Sequence, residues 1–344
     1  LLDIWCDSTL LPIPIFQQRA AKIMILSVQS NLPQILDILV SRLNALDFPC
    51  FSSEKSIGPG DDVSAGVAKA LMLAAEVGNE ECASIILTRW DSSLPLFAMR
   101  DDDGNTVFHY CCRGHGNAML LQLLFRHLST GTATKSRQQQ LAKVLMCKNR
   151  FGQTALHIAC EHGRVDFVET FLSLCSIALL AKLLAVEDDQ TQTPLLAAVG
   201  NNASDVVMCL IMWRGNRNLI LRNTPQSPGK VVRRGPLGSS RMELQSPTCP
   251  MVWASIKGNL DMIQLLLSDP SGQDYRITES ITALLCSNAT SDDKVEGCRL
   301  LVQNGGNPFE DVEVISCSPY ANTAVSVAAN SCESEVLKAL ITTG

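Results

Sequence analysis

Apolar residues in this chain come in short bursts of helical period, set out in pairs. In the stretch GQTALHIACEHGRVDFVETFL at 152–172, a first burst (ALHIAC) is followed by a turn (EHGR) and then a second burst. The second burst places Phe167, Val168, Phe171 and Leu172 on one face of a 3.6-residue helix. The pattern therefore predicts two short helices joined by a tight turn. Small residues such as Ala159 and Cys160 let first helices approach closely, and Gly163 takes a turn conformation that other residues resist.

The same pattern recurs along the chain. Thr154 to His157 aligns with Thr106 to His109, Thr193 to Leu196, Cys249 to Val252 and Thr323 to Ser326. Gly163 aligns with Asn31, Gly78, His115, Asn202, Gly258 and Cys332. The apolar pair Phe171 and Leu172 aligns with Leu39 and Val40, Ile86 and Leu87, Leu123 and Leu124, Leu210 and Ile211, Leu266 and Leu267, and Leu340 and Ile341. The weakest unit lies around 280–304, where SDDK reads as an insertion between two helices. One such hairpin cannot bury its own apolar face, so neighbours must stack. A Thr before the first helix is placed to accept from its exposed N–H groups.

TALHIA at 154–159, TVFHYC at 106–111 and TPLLAA at 193–198 resemble the T-P-L-H-x-A signature of the ankyrin-repeat family. That resemblance implies an all-α solenoid of about eight helix-turn-helix repeats. The units would be a flank at 1–20, about five repeats over 21–213, an insertion at 214–247, and about three repeats over 248–344. It further implies that the histidine stitches neighbouring repeats, with Thr154 as the local partner of His157. Successive turn positions are 47, 37, 48, 39 and 56 residues apart by subtraction, against a family repeat of about 33. The excess is expected in loops, including 44–66 and 129–142.

Composition narrows the function classes. With 344 residues, 46% hydrophobic, the chain can bury an ample core. Aromatic content of 5% suits helix-on-helix packing. A net charge of -6 argues against nucleic acid as a partner, because phosphate binding needs a basic face. No apolar run reaches membrane length and no signal segment opens the chain. The 14 cysteines, set in apolar stretches, read as reduced and buried, and the protein as intracellular and cytoplasmic. The first residue, Leu1, and the closing ITTG read as a piece of a longer protein.

Three places invite a chemical reading. FHYCCRGH at 108–115 holds two histidines and two cysteines, but other units replace each of them and keep the helix. Cys111 and Cys112 also point about 100° apart on a helix, a poor pair for one tetrahedral ion. RDDDGNT at 100–106 lacks the ordered ligands and terminal Glu of a calcium loop. No catalytic set, phosphate-cradling loop, metal site or cofactor motif is found, so no enzyme and no cofactor are expected. The segment 214–247 carries seven basic residues, Arg233 and Arg234 among them, against the single Glu243. It reads as a tolerated surface insertion, or as a regulatory loop that contacts an acidic partner or an anionic membrane surface. Phosphate at Thr224, Ser227 or Ser246, each followed by Pro, would cancel its charge.

The function expected is recognition of protein partners by a non-enzymatic scaffold or adaptor. The alternative is the regulatory array of a larger catalytic or channel protein. Candidate contact residues precede three hairpins: Arg100, Asp101, Asp102, Asp103 and Asn105; Lys148, Asn149, Arg150, Phe151 and Gln153; and Asp188, Asp189, Gln190 and Gln192. Phe151 is the exposed aromatic of the type that dominates interfaces, or else it packs on the adjacent loop.

Overall fold

The computed structural model describes residues 13–45, 63–89, 93–116, 118–129, 134–213, 249–268, 276–312, 323–331 and 333–343. All regular elements among the described residues are helices, most of them in consecutive pairs joined by a short turn. The pairs are α1 (Ile13–Gln29) with α2 (Pro33–Ala45), and α3 (Val63–Val77) with α4 (Glu80–Arg89). Next come α6 (Val107–Arg113) with α7 (Ala118–Ser129), and α9 (Ala155–Glu161) with α10 (Val165–Leu174). Then follow α12 (Pro194–Gly200) with α13 (Ser204–Met212), and α14 (Pro250–Lys257) with α15 (Leu260–Leu267). The last two are α16 (Ile277–Leu285) with α17 (Ser291–Gln303), and α18 (Ala324–Asn330) with α19 (Ser334–Thr343). Three further helices stand between pairs: α5 (Ser93–Ala98), α8 (Thr134–Leu145) and α11 (Ile177–Leu184).

The chain divides into two compact units, Leu1–Ala159 with Asp166–Leu183, and Cys160–Val165 with Leu184–Gly344. In the first unit, α1, α3 and α6 stack in one layer and α2, α4 and α7 in a second. In the second unit, α12, α14, α16 and α18 form one layer and α13, α15, α17 and α19 the other. First helices bring small buried residues to their layer, such as Ala70, Ala74, Cys111, Cys112, Ala197 and Ala198. A ladder of buried rings runs through the first unit. Phe97 to Phe108 is 5.9 Å between centroids, and Phe108 to Phe125 and Phe125 to Phe171 are 5.7 Å each, the last two edge-on. Edge-on pairs of this kind add about 0.5–1.5 kcal/mol beyond burial.

The turns inside the pairs follow one rule. Asn31, Gly78, Gly163, Asn202 and Gly258 all have positive φ, between 52° and 80°. The amide just beyond reaches back into the first helix at four of them: Leu32 to Ser27, Asn79 to Ala74, Ala203 to Ala198 and Asn259 to Ala254, at 2.8–3.1 Å. That bond satisfies a carbonyl the helix end would otherwise leave open. At His115 the turn is built differently: its N–H donates to the Glu76 carbonyl of the preceding pair at 2.8 Å.

Several expectations need correction. The excess repeat length is partly helical, not loop. The polar stretch at 129–142 runs into α8, which buries Val144 and Leu145, and α11 buries Leu179, Leu180, Leu183 and Leu184. SDDK is no insertion; Thr290 caps α17 by accepting from the Asp293 amide at 3.2 Å, so Ser291 to Lys294 are that helix's first turn. Asp292 and Asp293 there meet the positive end of the helix. Helix α1 crosses the boundary drawn at residue 20, and α3 starts at Val63 inside the stretch read as a loop. Nine of the described cysteines form no disulfide, eight of them buried, but Cys286 is disulfide-bonded, so the reduced reading fails there. Burial pushes the thiols of Cys175 and Cys298 up to about 12, which leaves both unreactive at neutral pH. No described helix is long and apolar enough to cross a membrane.

Candidate functional site

Three loops that precede a first helix share one clasp. In 101–105, Asp101 Oδ1 accepts from the amides of Asp103 and Asn105 at 3.0 and 2.7 Å. In 149–153, Asn149 Oδ1 accepts from Phe151 and Gln153 at 3.0 and 2.9 Å. In 188–192, Asp188 Oδ1 accepts from Gln190 and Gln192, both at 2.8 Å. A backbone bond closes each loop, from Asp101, Asn149 and Asp188 to the carbonyls of Asn105, Gln153 and Gln192, at 2.9–3.0 Å. The fourth residue of each clasp has positive φ: Gly104 at 78°, Gly152 at 75° and Thr191 at 60°. An Asp or Asn side chain suits the first position because it bonds the backbone two residues on and so mimics a turn. The loops are therefore stiff fingers.

In the first unit, neighbouring fingers are stitched to each other and to the helices. The Arg150 amide donates to the Asp103 carbonyl at 2.7 Å, and Asn149 Nδ2 reaches Asn105 Oδ1 at 3.3 Å. His109 completes the seam. The Thr106 amide donates to its Nδ1 at 3.1 Å, while Nε2 lies 3.0 Å from the Gln153 carbonyl. An amide can only donate and a carbonyl only accept, so the proton sits on Nε2 and Nδ1 is bare. The ring is 2% exposed, and burial pulls its pKa down to about 4. His157 repeats the local half of this arrangement, its Nδ1 taking the Thr154 amide at 3.2 Å and lying 2.8 Å from Thr154 Oγ1. Thr therefore pairs with histidine here, and the plain cap foreseen for it is seen at Thr193, which accepts from Leu196 N at 3.4 Å.

A stack of helix pairs with Thr–His seams and clasped fingers is a specific arrangement, and comparison with known proteins identifies it. A family model for ankyrin repeats (three copies) matches residues 131–219. Those residues match the ankyrin-repeat family, and the chain has the ankyrin-repeat fold. Among solved structures, the crystal structure of the ankyrin repeat domain of Bcl-3, a unique member of the IkappaB protein family, matches with a TM-score of 0.50 at 18% identity. The match covers 79% of this chain and 97% of that one. No curated protein sequence matches the chain.

Within this ankyrin frame the candidate contact residues fall into two groups. Asn105 and Asn149 are 6% and 9% exposed and hold the fingers together from inside. Asp101, Asp188, Gln153 and Gln192 are partly buried in the clasps. Outward stand Arg100, Asp102, Lys148, Arg150, Phe151, Asp189 and Gln190. Phe151 is 53% exposed, with the Arg150 guanidinium 4.7 Å from its ring centre. Arg150 also pairs with Asp103 of the adjacent finger, and Arg100 donates to the Lys148 carbonyl at 3.5 Å.

Tyr110 belongs to the same assembly and was not foreseen. Its hydroxyl donates to Asp101 Oδ2 at 2.7 Å, and Asn105 Nδ2 reaches the same oxygen at 3.0 Å. Burial alone would raise the Asp101 pKa, but these donors and the two amides hold it below the usual carboxylate range. Asp188 has the opposite balance. Burial, with Asp189 and Glu161 close by, raises its pKa despite the clasp. Among the described residues no group of three His, Cys, Asp or Glu is placed to hold a metal ion. Cys111 and Cys112 are fully buried on α6. The basic segment 214–247, with Thr224, Ser227, Arg233, Arg234 and Ser246, lies outside the described residues.

Proposed function

We propose that this ankyrin-repeat chain is a non-enzymatic scaffold or adaptor that binds a protein partner through the tips of its fingers. Ankyrin repeats are generally protein–protein interaction modules and typically non-catalytic. The observation that carries the reading is Phe151: a large aromatic, 53% exposed, displayed on a clasped backbone. Exposed apolar rings on a rigid support lose little conformational freedom on binding, and such anchors dominate interface energy. Arg150 lies over the ring, and Lys148 and Arg100 stand exposed on the same finger and the one before it, long cationic side chains that favour an acidic counterpart.

The test is quantitative affinity purification of the full chain beside two variants, Phe151→Ser and the pair Arg100→Glu with Lys148→Glu. Partners that depend on the fingers fall about tenfold or more in yield with both variants, the loss expected when an anchor is removed. An unchanged partner set with both variants, at equal protein level, sinks the proposal.

A further inference from the structure

A fourth finger precedes α18, and its tip carries the same residue type as the second. Asn307 Oδ1 accepts from the Phe309 amide at 3.0 Å, as Asn149 Oδ1 accepts from Phe151. The Asn307 amide donates to Thr278 Oγ1 of α16 at 3.2 Å, and the Val325 amide of α18 donates to the Pro308 carbonyl at 3.2 Å. The tip is therefore tied to both flanking repeats. Val312, at its base, is 8% exposed. Phe309 is 55% exposed despite that packing, and its neighbours Glu310 and Asp311 are exposed as well. The sequence pattern Asn-x-Phe is shared by 149–151 and 307–309, but the flanking charge is inverted: Lys148 and Arg150 beside one ring, Glu310 and Asp311 beside the other.

We infer that the Asn307–Asp311 finger is a second partner-contact point, whose occupant is a protein surface with an apolar cavity rimmed by lysine or arginine. This rests on the reading of the fingers as contact elements. A projecting ring needs a concave apolar receptor. Two exposed carboxylates beside it repel an acidic rim and attract a basic one, which sets specificity more than raw affinity. The two aromatic fingers then differ in what they accept. The chain grips by one type of anchor twice and distinguishes the two grips by charge.

The experiment places the photoreactive analogue p-benzoylphenylalanine at position 309 of the full chain, and in parallel preparations at 151 and 341. Ile341 is 56% exposed and lies in the same unit as Phe309, so it reports background. The expected result is a discrete adduct at 309, above that at 341, whose cross-linked peptide is apolar and flanked by lysine or arginine. Adding Glu310→Lys and Asp311→Lys to that chain should cut its yield about tenfold, the scale of losing a matched charge pair at an interface. No adduct above the 341 background, an acidic cross-linked peptide, or a yield unmoved by charge reversal each overturns the inference. The preparation labelled at 151 separates the two readings. An adduct at 151 with none at 309 removes only the second contact, and the reverse removes only the first.

Discussion

The fingers at 101–105 and 188–192 are built on the same atoms and live in opposite electrostatic surroundings. Both open with an aspartate whose Oδ1 takes two backbone amides, and both close with the same backbone bond. Asp101 offers its second oxygen to Tyr110 and Asn105 and stays ionised below the usual range. Asp188 is partly buried with Asp189 and Glu161 close by, and its pKa rises. The turn geometry is thus set inside five residues, while the cost of the charge is set by residues outside them. The middle finger avoids the question by using Asn149 in the same role.

The largest expected effect is at Asp101. Asp101→Ala removes an acceptor for two amides, a hydroxyl and a side-chain amide, and should cost about 2–3 kcal/mol of stability, measured by denaturation of the full chain. A loss below half of that would show that solvent replaces those bonds. Tyr110→Phe removes one donor, should cost about 1 kcal/mol, and should raise the Asp101 pKa followed by carboxyl NMR. Thr191→Gly should stabilise by about 0.5–1 kcal/mol, because a β-branched residue at positive φ is strained and glycine is not. Asp188→Asn keeps the clasp and removes the repelled charge. It should gain no more than about 0.5 kcal/mol, as repulsion at a half-exposed site is screened. If Asp188→Asn destabilised the chain, the charge would be favourable and the contrast with Asp101 would collapse.

The pH dependence separates the two fingers without mutation. Asp101 has a folded pKa below its unfolded value, so its contribution is complete above about 3.9 and is lost as pH falls through the folded value. Asp188 has a folded pKa above its unfolded value. Its protonated form favours the folded state, an advantage present below the unfolded value and lost as pH rises through the folded one. Amide-exchange protection of Asn105 should fall on acidification, while the slowest-exchanging amides of the second unit, which report its stability and not the Asp188 clasp, should gain protection. A parallel response of the two would break the comparison.

The hairpins were legible because two strong local signals coincide in them: helical periodicity, and a turn residue that tolerates positive φ, as at Gly163 and Gly258. The helix at Thr134–Leu145 was not legible because TKSRQQQ is polar and periodicity carries little signal there, although Lys, Arg and Gln are good helix formers. The fingers could be located in the sequence, but not their inward and outward residues. Asn105 and Asn149 have the chemistry of a surface contact and serve as pins, a distinction only packing decides. Phe309 had a signal in the repeated Asn-x-Phe, hidden because the hairpin after it lacks the Thr–His start.

The seam through His109 also explains how the usual ankyrin spacing can be exceeded while the next finger stays bonded to the preceding helix. One ring nitrogen reads the start of its own helix, and the other reads a carbonyl 44 residues later, in the finger that opens the next repeat. Helix α8 lies between those two points in sequence, and the bond needs nothing from it. Stacking and spacing are thereby governed by separate parts of the chain. An ancestor could accept insertions of many lengths between Ser129 and Lys148, and each descendant would still find its next repeat in the same place.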